Sequence, residues 1–151
     1  KGGEGGFLEE SVFLTDFPQV EREYLDIELE EKWKDLFEIR DEVNKTLEIK
    51  RAEKFIGNPL EAKVTIFLPE KYIGLCRHYI DFLPAIFLVS EVRISSEKLT
   101  CAYDSAKIEG FQVQVERASG SKCQRCWNWS ESVGKFEDSP DVCKRCYTII
   151  K

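Results

Sequence analysis

The chain has 151 residues, 42% hydrophobic and 33% charged, with a formal net charge of −6, which reads as a soluble globular protein of one ordinary domain or two small ones. The longest apolar run, Phe82 to Val89, is interrupted by Pro84 and is far too short to cross a bilayer; with no secretory leader in view, a cytoplasmic protein without membrane contact is expected. The acidity also argues against a surface that coats nucleic acid throughout.

The opening Lys1-Gly-Gly-Glu-Gly-Gly6 has no apolar anchor, so residues 1–10 are expected to form a flexible lead, whether native linker or artificial addition. The chain starts at Lys1 and contains no methionine, and it is therefore read as a piece of a longer protein. Val12 to Phe17 reads as a short extended segment closed by Pro18. From about Leu25 to Ile56, Leu29, Trp33, Leu36, Phe37, Val43, Leu47 and Phe55 recur mostly three, four or seven apart, as one buried stripe of a long helix requires. Gly57 is the expected stop, followed by an Asn58-Pro59 turn. Its charged residues, Arg40, Lys50, Arg51 and Lys54 among Glu38, Glu42, Glu48 and Glu53, read as a mixed solvated face.

Ala62 to Leu68 alternates like a half-buried strand, and Pro69 opens a helix predicted to run to about Leu83. Ile86 to Ile94, Leu99 to Tyr103 and Phe111 to Glu116 are predicted strands, the first two separated by a turn at Ser95-Ser-Glu-Lys98. The fold class is thus α+β: a long N-terminal helix packed on a small mixed α/β unit over residues 11–118. Ala118-Ser-Gly-Ser121 is expected to be a flexible joint to a separate module over residues 119–151.

That module carries Cys123-Gln-Arg-Cys126 and Cys143-Lys-Arg-Cys146, sixteen residues apart. Two such knuckles, expected on hairpins, supply four thiolates for one tetrahedral Zn²⁺. With no coordination position left open, the metal is structural and the module is a four-cysteine zinc ribbon. Charge is uneven along the chain: residues 1–120 balance at −8, whereas residues 121–151 balance at +2. Lys122, Arg125, Lys144 and Arg145 are either phosphate contacts on a nucleic acid or charge compensation for the zinc-thiolate centre. Trp127 and Trp129, two apart, would share a face if extended; one is expected in the module's small core, and the other stays open as a stacking platform for an unpaired base. His78 reads as an ordinary helix residue, and Cys76 and Cys101 as half-buried small side chains. No catalytic constellation or phosphate loop is evident.

Lys122-Cys-Gln-Arg-Cys-Trp127, Val133-Gly-Lys135 and Cys143-Lys-Arg-Cys146 together strongly resemble the zinc-binding C-terminal end of isoleucyl-tRNA synthetases. Upstream, Ser11-Val-Phe-Leu-Thr-Asp-Phe-Pro18, Ile39-Arg-Asp-Glu-Val43, Leu47-Glu-Ile-Lys-Arg51 and Lys54-Phe-Ile-Gly-Asn-Pro-Leu-Glu-Ala62 follow the same family in the same order. The resemblance implies a C-terminal piece of a class I synthetase that helps bind tRNA(Ile), at its anticodon side, for ATP-dependent aminoacylation carried out in other domains. Those remaining domains and tRNA(Ile) are the implied partners, and ATP belongs to the parent alone. The family's His-x-Gly-His and Lys-Met-Ser-Lys-Ser signatures cannot occur in a chain with one histidine and no methionine, so the piece itself is expected to be inactive. Two rivals are the DNA-binding module of a formamidopyrimidine-type glycosylase, whose N-terminal proline nucleophile is not found here, and a zinc-stabilised protein-interaction domain.

Overall fold

A computed structural model describes residues 11–14 and 21–151. Val12–Leu14 form a turn of 3-10 helix where an extended segment was predicted; the remainder of that prediction, to Pro18, lies outside the described residues. The first long element is α1, Ile27–Ala52. Its N-cap is Asp26, whose carboxylate accepts from the Leu29 N–H at 2.9 Å, satisfying one of the free donors of the first turn.

The buried stripe of α1 begins later than the periodicity suggests. Leu36, Ile39, Val43 and Leu47 are buried, whereas Leu29, Phe37 and Phe55 are substantially exposed. The helix also stops before Gly57. Lys54 takes a left-handed conformation, φ 58°, and the Phe55 and Lys54 N–H groups fold back onto the carbonyls of Lys50 and Arg51 at 2.9 and 3.0 Å. This is the Schellman closure usually made by glycine, here made by a lysine.

The next elements are β1 (Ala62–Phe67), α2 (Glu70–His78), α3 (Leu83–Phe87), β2 (Glu91–Ser95), β3 (Tyr103–Asp104) and β4 (Gln112–Arg117). The predicted Pro69 helix therefore ends early, at His78, and a second helix, α3, takes up Leu83 and replaces the start of the predicted Ile86 strand. Pro84 explains part of this, because a residue without an N–H is best tolerated in the opening turn of a helix. Leu88, at φ 57°, ends α3 and turns the chain towards β2. The predicted Leu99 strand shrinks to the two residues of β3: the Leu99 N–H is taken by the Gln112 side-chain carbonyl at 2.9 Å, and Cys101 adopts φ 58°. Both features divert the backbone from ladder pairing.

The four strands form one sheet in the order β2-β1-β4-β3. β1 runs parallel to β2 and antiparallel to β4, with Val64 opposite Val92 and Val115, and Ile66 opposite Val113. Ala62, Val64 and Ile66 of β1 and Val113 and Val115 of β4 are buried in one core with the α1 stripe, Phe87 and Phe111. The other face is polar, and its register sets Lys63 opposite Glu116 in an ion pair of 2.8 Å. Cys76 is fully buried and Cys101 exposed, so neither is half-buried as expected; burial pushes the Cys76 thiol up to about 12.

Glu42, expected on the solvated face of α1, is fully buried. One carboxylate oxygen is paired with Lys45, and the other accepts from the Ser105 hydroxyl at 2.6 Å. The same hydroxyl accepts from the backbone N–H of Lys107 and Ile108, so one buried acid ties α1 to the loop entering β4. Burial opposes its charge, but Lys45 and Ser105 outweigh that penalty and hold the carboxyl below its ordinary range. Among the described residues no helix is long and apolar enough to cross a membrane.

Candidate metal centre and nucleic-acid interface

Beyond β4 a two-stranded ribbon, β5 (Ser121–Lys122) and β6 (Trp129–Ser130), carries the first knuckle at its tip, and α4 (Lys144–Ile150) carries the second at its start. Only the first knuckle is on a hairpin. Cys143 is instead the residue preceding α4, and Cys146 lies in its first turn. The α-helical rise brings residues three apart onto one face, which lets a helix start present two sulfurs as well as a turn does.

The two halves are stitched by backbone contacts. The Gln124 N–H donates to the Asp141 carbonyl at 2.9 Å, the Gly134 N–H to that of Pro140 at 2.8 Å, and the Lys144 N–H to the Ser132 hydroxyl at 2.9 Å. As a result the four Sγ atoms of Cys123, Cys126, Cys143 and Cys146 all lie within 4.8 Å of one another. Cys126 and Cys143 are 3.7 Å apart. Four ligands at Zn–S distances of about 2.3 Å sit about 3.8 Å apart at the corners of a tetrahedron, so the donor set fits one zinc ion.

The electrostatics also suit a metal. Burial disfavours the Cys123 thiolate, yet the N–H groups of Cys126, Cys143 and Arg125 outweigh burial and lower its pKa; the Cys143 N–H approaches its sulfur at 3.3 Å. Burial raises Cys143. Such a shell keeps some protons until a cation displaces them, coupling metal binding to proton release.

Around this centre the candidate contacts divide into two groups. Arg145 is exposed on the first turn of α4, and the Cys126 sulfur, by hydrogen bonding and charge, raises its already high pKa. That is the behaviour of a group balancing thiolate charge. Lys144 is exposed beside it. On the hairpin, Lys122, Arg125 and Trp127 are also solvent-accessible, and Arg125 makes no side-chain hydrogen bond or ion pair among the described residues. The Lys122 ammonium lies 5.4 Å from the centre of the Trp127 ring.

Trp127 and Trp129 do not share a strand face. Trp127 occupies the left-handed region, φ 64°, and is 59% exposed; Trp129 lies in β6, half-buried, in register with Lys122. Half-buried Trp129 does not pack on the buried cysteines, which are flanked by Cys126, Val133 and Val142, and Trp127 is too exposed to form a core. The module's aromatic pair is Phe136 and Tyr147, stacked at 4.0 Å with planes 9° apart. Sequence reasoning missed this pair, because the two residues are far apart in the chain and no periodicity links them. The expected joint at Ala118–Ser121 is pinned: the Ala118 N–H donates to the Glu61 carbonyl at 2.7 Å, and a Cβ at Gly120 would stand 2.2 Å from the Ser130 carbonyl carbon. His78 is an exposed helix residue packed edge-on against Tyr79.

Residues 120–149 match a family described as a zinc finger found in FPG and IleRS. Over nearly its whole length the chain is similar to isoleucine-tRNA ligases. It is 38% identical over 148 residues to that of Kosmotoga olearia and 42% identical over 141 residues to that of Carboxydothermus hydrogenoformans, with 93% of this chain and 15% of the relative covered in each case. The protein from Persephonella marina is 40% identical over 140 residues, covering 92% of this chain and 15% of its own. The chain thus spans about 15% of the length of the curated relatives it matches. The finger alone is common to two families; the similarity upstream of residue 120 extends to the ligases.

Proposed function

We propose, on the premise that the chain matches a C-terminal segment of isoleucyl-tRNA synthetases, that it helps bind and position tRNA(Ile), at the anticodon side, for aminoacylation performed elsewhere in the parent enzyme. The observation that carries this reading is the hairpin tip, where Lys122, Arg125 and Trp127 are accessible together beside a structural zinc site. Cys123, Cys126, Cys143 and Cys146 hold the metal. Zinc supplies rigidity here and no Lewis-acid step.

Each side chain has a separate task. Arg125 and Lys122 neutralise phosphates, and their contribution weakens with salt. Trp127 offers an aromatic face to an unpaired base, with Lys122 close to that ring. Arg145, whose charge the Cys126 sulfur favours, primarily balances the metal centre, and Lys144 and Trp129 are secondary contacts. The acidic first 120 residues repel RNA at long range and so favour approach from the metal module, whose balance of +2 becomes formally neutral once four thiolates and Zn²⁺ are included. With neither of the class signatures in its sequence, the chain has no amino-acid activation of its own, and ATP and the other synthetase domains belong to the parent protein.

Binding of tRNA(Ile) to the 151-residue chain across a salt series tests this reading, with lesion-containing duplex DNA and a polyanion as controls. Arg125→Glu should weaken tRNA binding and flatten the salt dependence by about one phosphate's worth. Trp127→Ala should cost about 1–3 kcal/mol. Zinc content should stay unchanged in both. Unaltered binding by the folded variants would return both residues to purely structural roles, and preference for lesion DNA would favour the glycosylase reading. Adding the chain to a synthetase truncated before it, with aminoacylation as readout, tests the positioning role directly.

A further inference from the structure

We infer that Ser90, in the α+β body, is a positioning residue that sets the pose of the RNA-facing hairpin. Its hydroxyl stands between the two halves of the molecule. It donates to the Leu60 carbonyl at 2.5 Å and accepts from the Trp129 N–H at 2.7 Å, while its own N–H donates to the Ala62 carbonyl at 3.1 Å. Ser90 is therefore fixed by the entry to β1 and holds the base of β6 with its one remaining bond.

The leverage follows from where Trp129 lies. Its partner across the ribbon is Lys122, and between them the chain forms the knuckle that carries Arg125 and Trp127. The Cys123 N–H donates to the Asn128 carbonyl, and the Trp127 N–H to the Cys123 carbonyl, both at 2.9 Å, so the tip moves with the strands. A hydroxyl can donate to one group and accept from another at once, which an aliphatic side chain in the same space cannot do. The second tie, from Ala118 to Glu61, holds the strand entering the ribbon but does not reach β6. Without the Ser90 hydroxyl, the Trp129 N–H loses its partner in the body and the hairpin rocks about the Ala118 end.

This inference rests on the tRNA reading above only for its consequence, since the mechanical tie is independent of RNA. Its test uses the full chain loaded with zinc, comparing Ser90→Ala with the pair Ser90→Thr and Ser90→Val, which have similar shapes but differ in the hydroxyl. Hydrogen exchange at the Trp129 amide should speed up roughly three- to tenfold in the Ala and Val variants and return towards the parent rate in Thr. Zinc stoichiometry and exchange of the β1 and β4 amides should not move. Affinity for tRNA(Ile) should fall by a similar factor in Ala and Val, with recovery in Thr. Unchanged Trp129 exchange in Ser90→Val relative to Ser90→Thr would overturn the tie. Faster exchange with undiminished tRNA affinity would overturn the claim that the tie positions the RNA-facing hairpin. If the parent chain itself fails to bind tRNA(Ile), the functional reading falls while the exchange result still decides the tie.

Discussion

The α+β body and the metal module reach order by different physical routes. Among the described residues the body buries nineteen apolar side chains in one cluster, from Leu36 to Val115, whereas the module buries three cysteines and rests a few half-buried side chains on them. A core of that first kind folds by removing apolar surface from water. The second is too small for that, and its order must come from the metal and the backbone stitching around it. Mutation should therefore act on the two regions through different terms.

Metal removal draws the sharpest line between them. Stripping zinc with a strong chelator, or replacing Cys143 with serine, should unfold the module from Gly120 onward and leave the body's cooperative transition in place. The zinc-coupled stabilisation lost is on the order of 10 kcal/mol, and hydrogen exchange resolved by segment would read it. Collapse of both regions together would show that the body depends on the module, and the contrast would fail.

A smaller effect is expected where backbone geometry alone supports the module. Gly120 has φ 86°, and any Cβ there meets the Ser130 backbone. Gly120→Ala should cost about 3 kcal/mol through left-handed strain and overpacking, seen as weaker zinc retention in a chelator competition. The melting of the body should hardly move.

The mildest test lies inside the body, where one charge departs from the apolar rule. Glu42→Ala should destabilise the body by about 2 kcal/mol, by leaving the Ser105 hydroxyl without its acceptor and opening a cavity. It should leave zinc affinity unchanged. The native pH dependence has a definite sign: the folded carboxyl is held below its ordinary value of 4.5, so its contribution is complete above that value and disappears as pH falls through the folded pKa. Denaturant melts of the parent chain and Glu42→Gln between about pH 6 and about pH 3 should therefore converge on the acid side. A constant gap would assign the effect to packing.

Most of the fold was legible where one periodicity acted alone. The α1 stripe from Leu36 to Leu47, the alternation of Val64 and Ile66, and that of Phe111, Val113 and Val115 all identify buried faces. Errors arose where backbone conformation overrode residue type. Lys54, Leu88, Cys101 and Trp127 all adopt positive φ, at positions where a non-glycine residue gives little warning, and each displaced a predicted helix end, strand or face. The cysteine set was readable because metal geometry dictates its spacing. The second knuckle's place on a helix was not, since Cys-x2-Cys is compatible with a turn or a first helical turn. Glu42 stands three residues after Ile39 and four before Thr46, on the buried face of α1, so helical spacing marked its position and only its charge argued for solvent; its partner Ser105, sixty-three residues away, had no local signal.

The sheet order has a consequence for the sequence of assembly. The start of β1, the approach to β2 and the end of β4 meet at one end of the sheet, where Leu60, Ser90 and Ala118 receive the ribbon. β1 and β4 are about fifty residues apart in the chain, and pairing of that kind is slow because a long loop must close first. The module's contacts, by contrast, are local. Closing the finger around a metal therefore needs only short-range loop closure, whereas fixing its orientation needs the long-range pairing of β1 with β4.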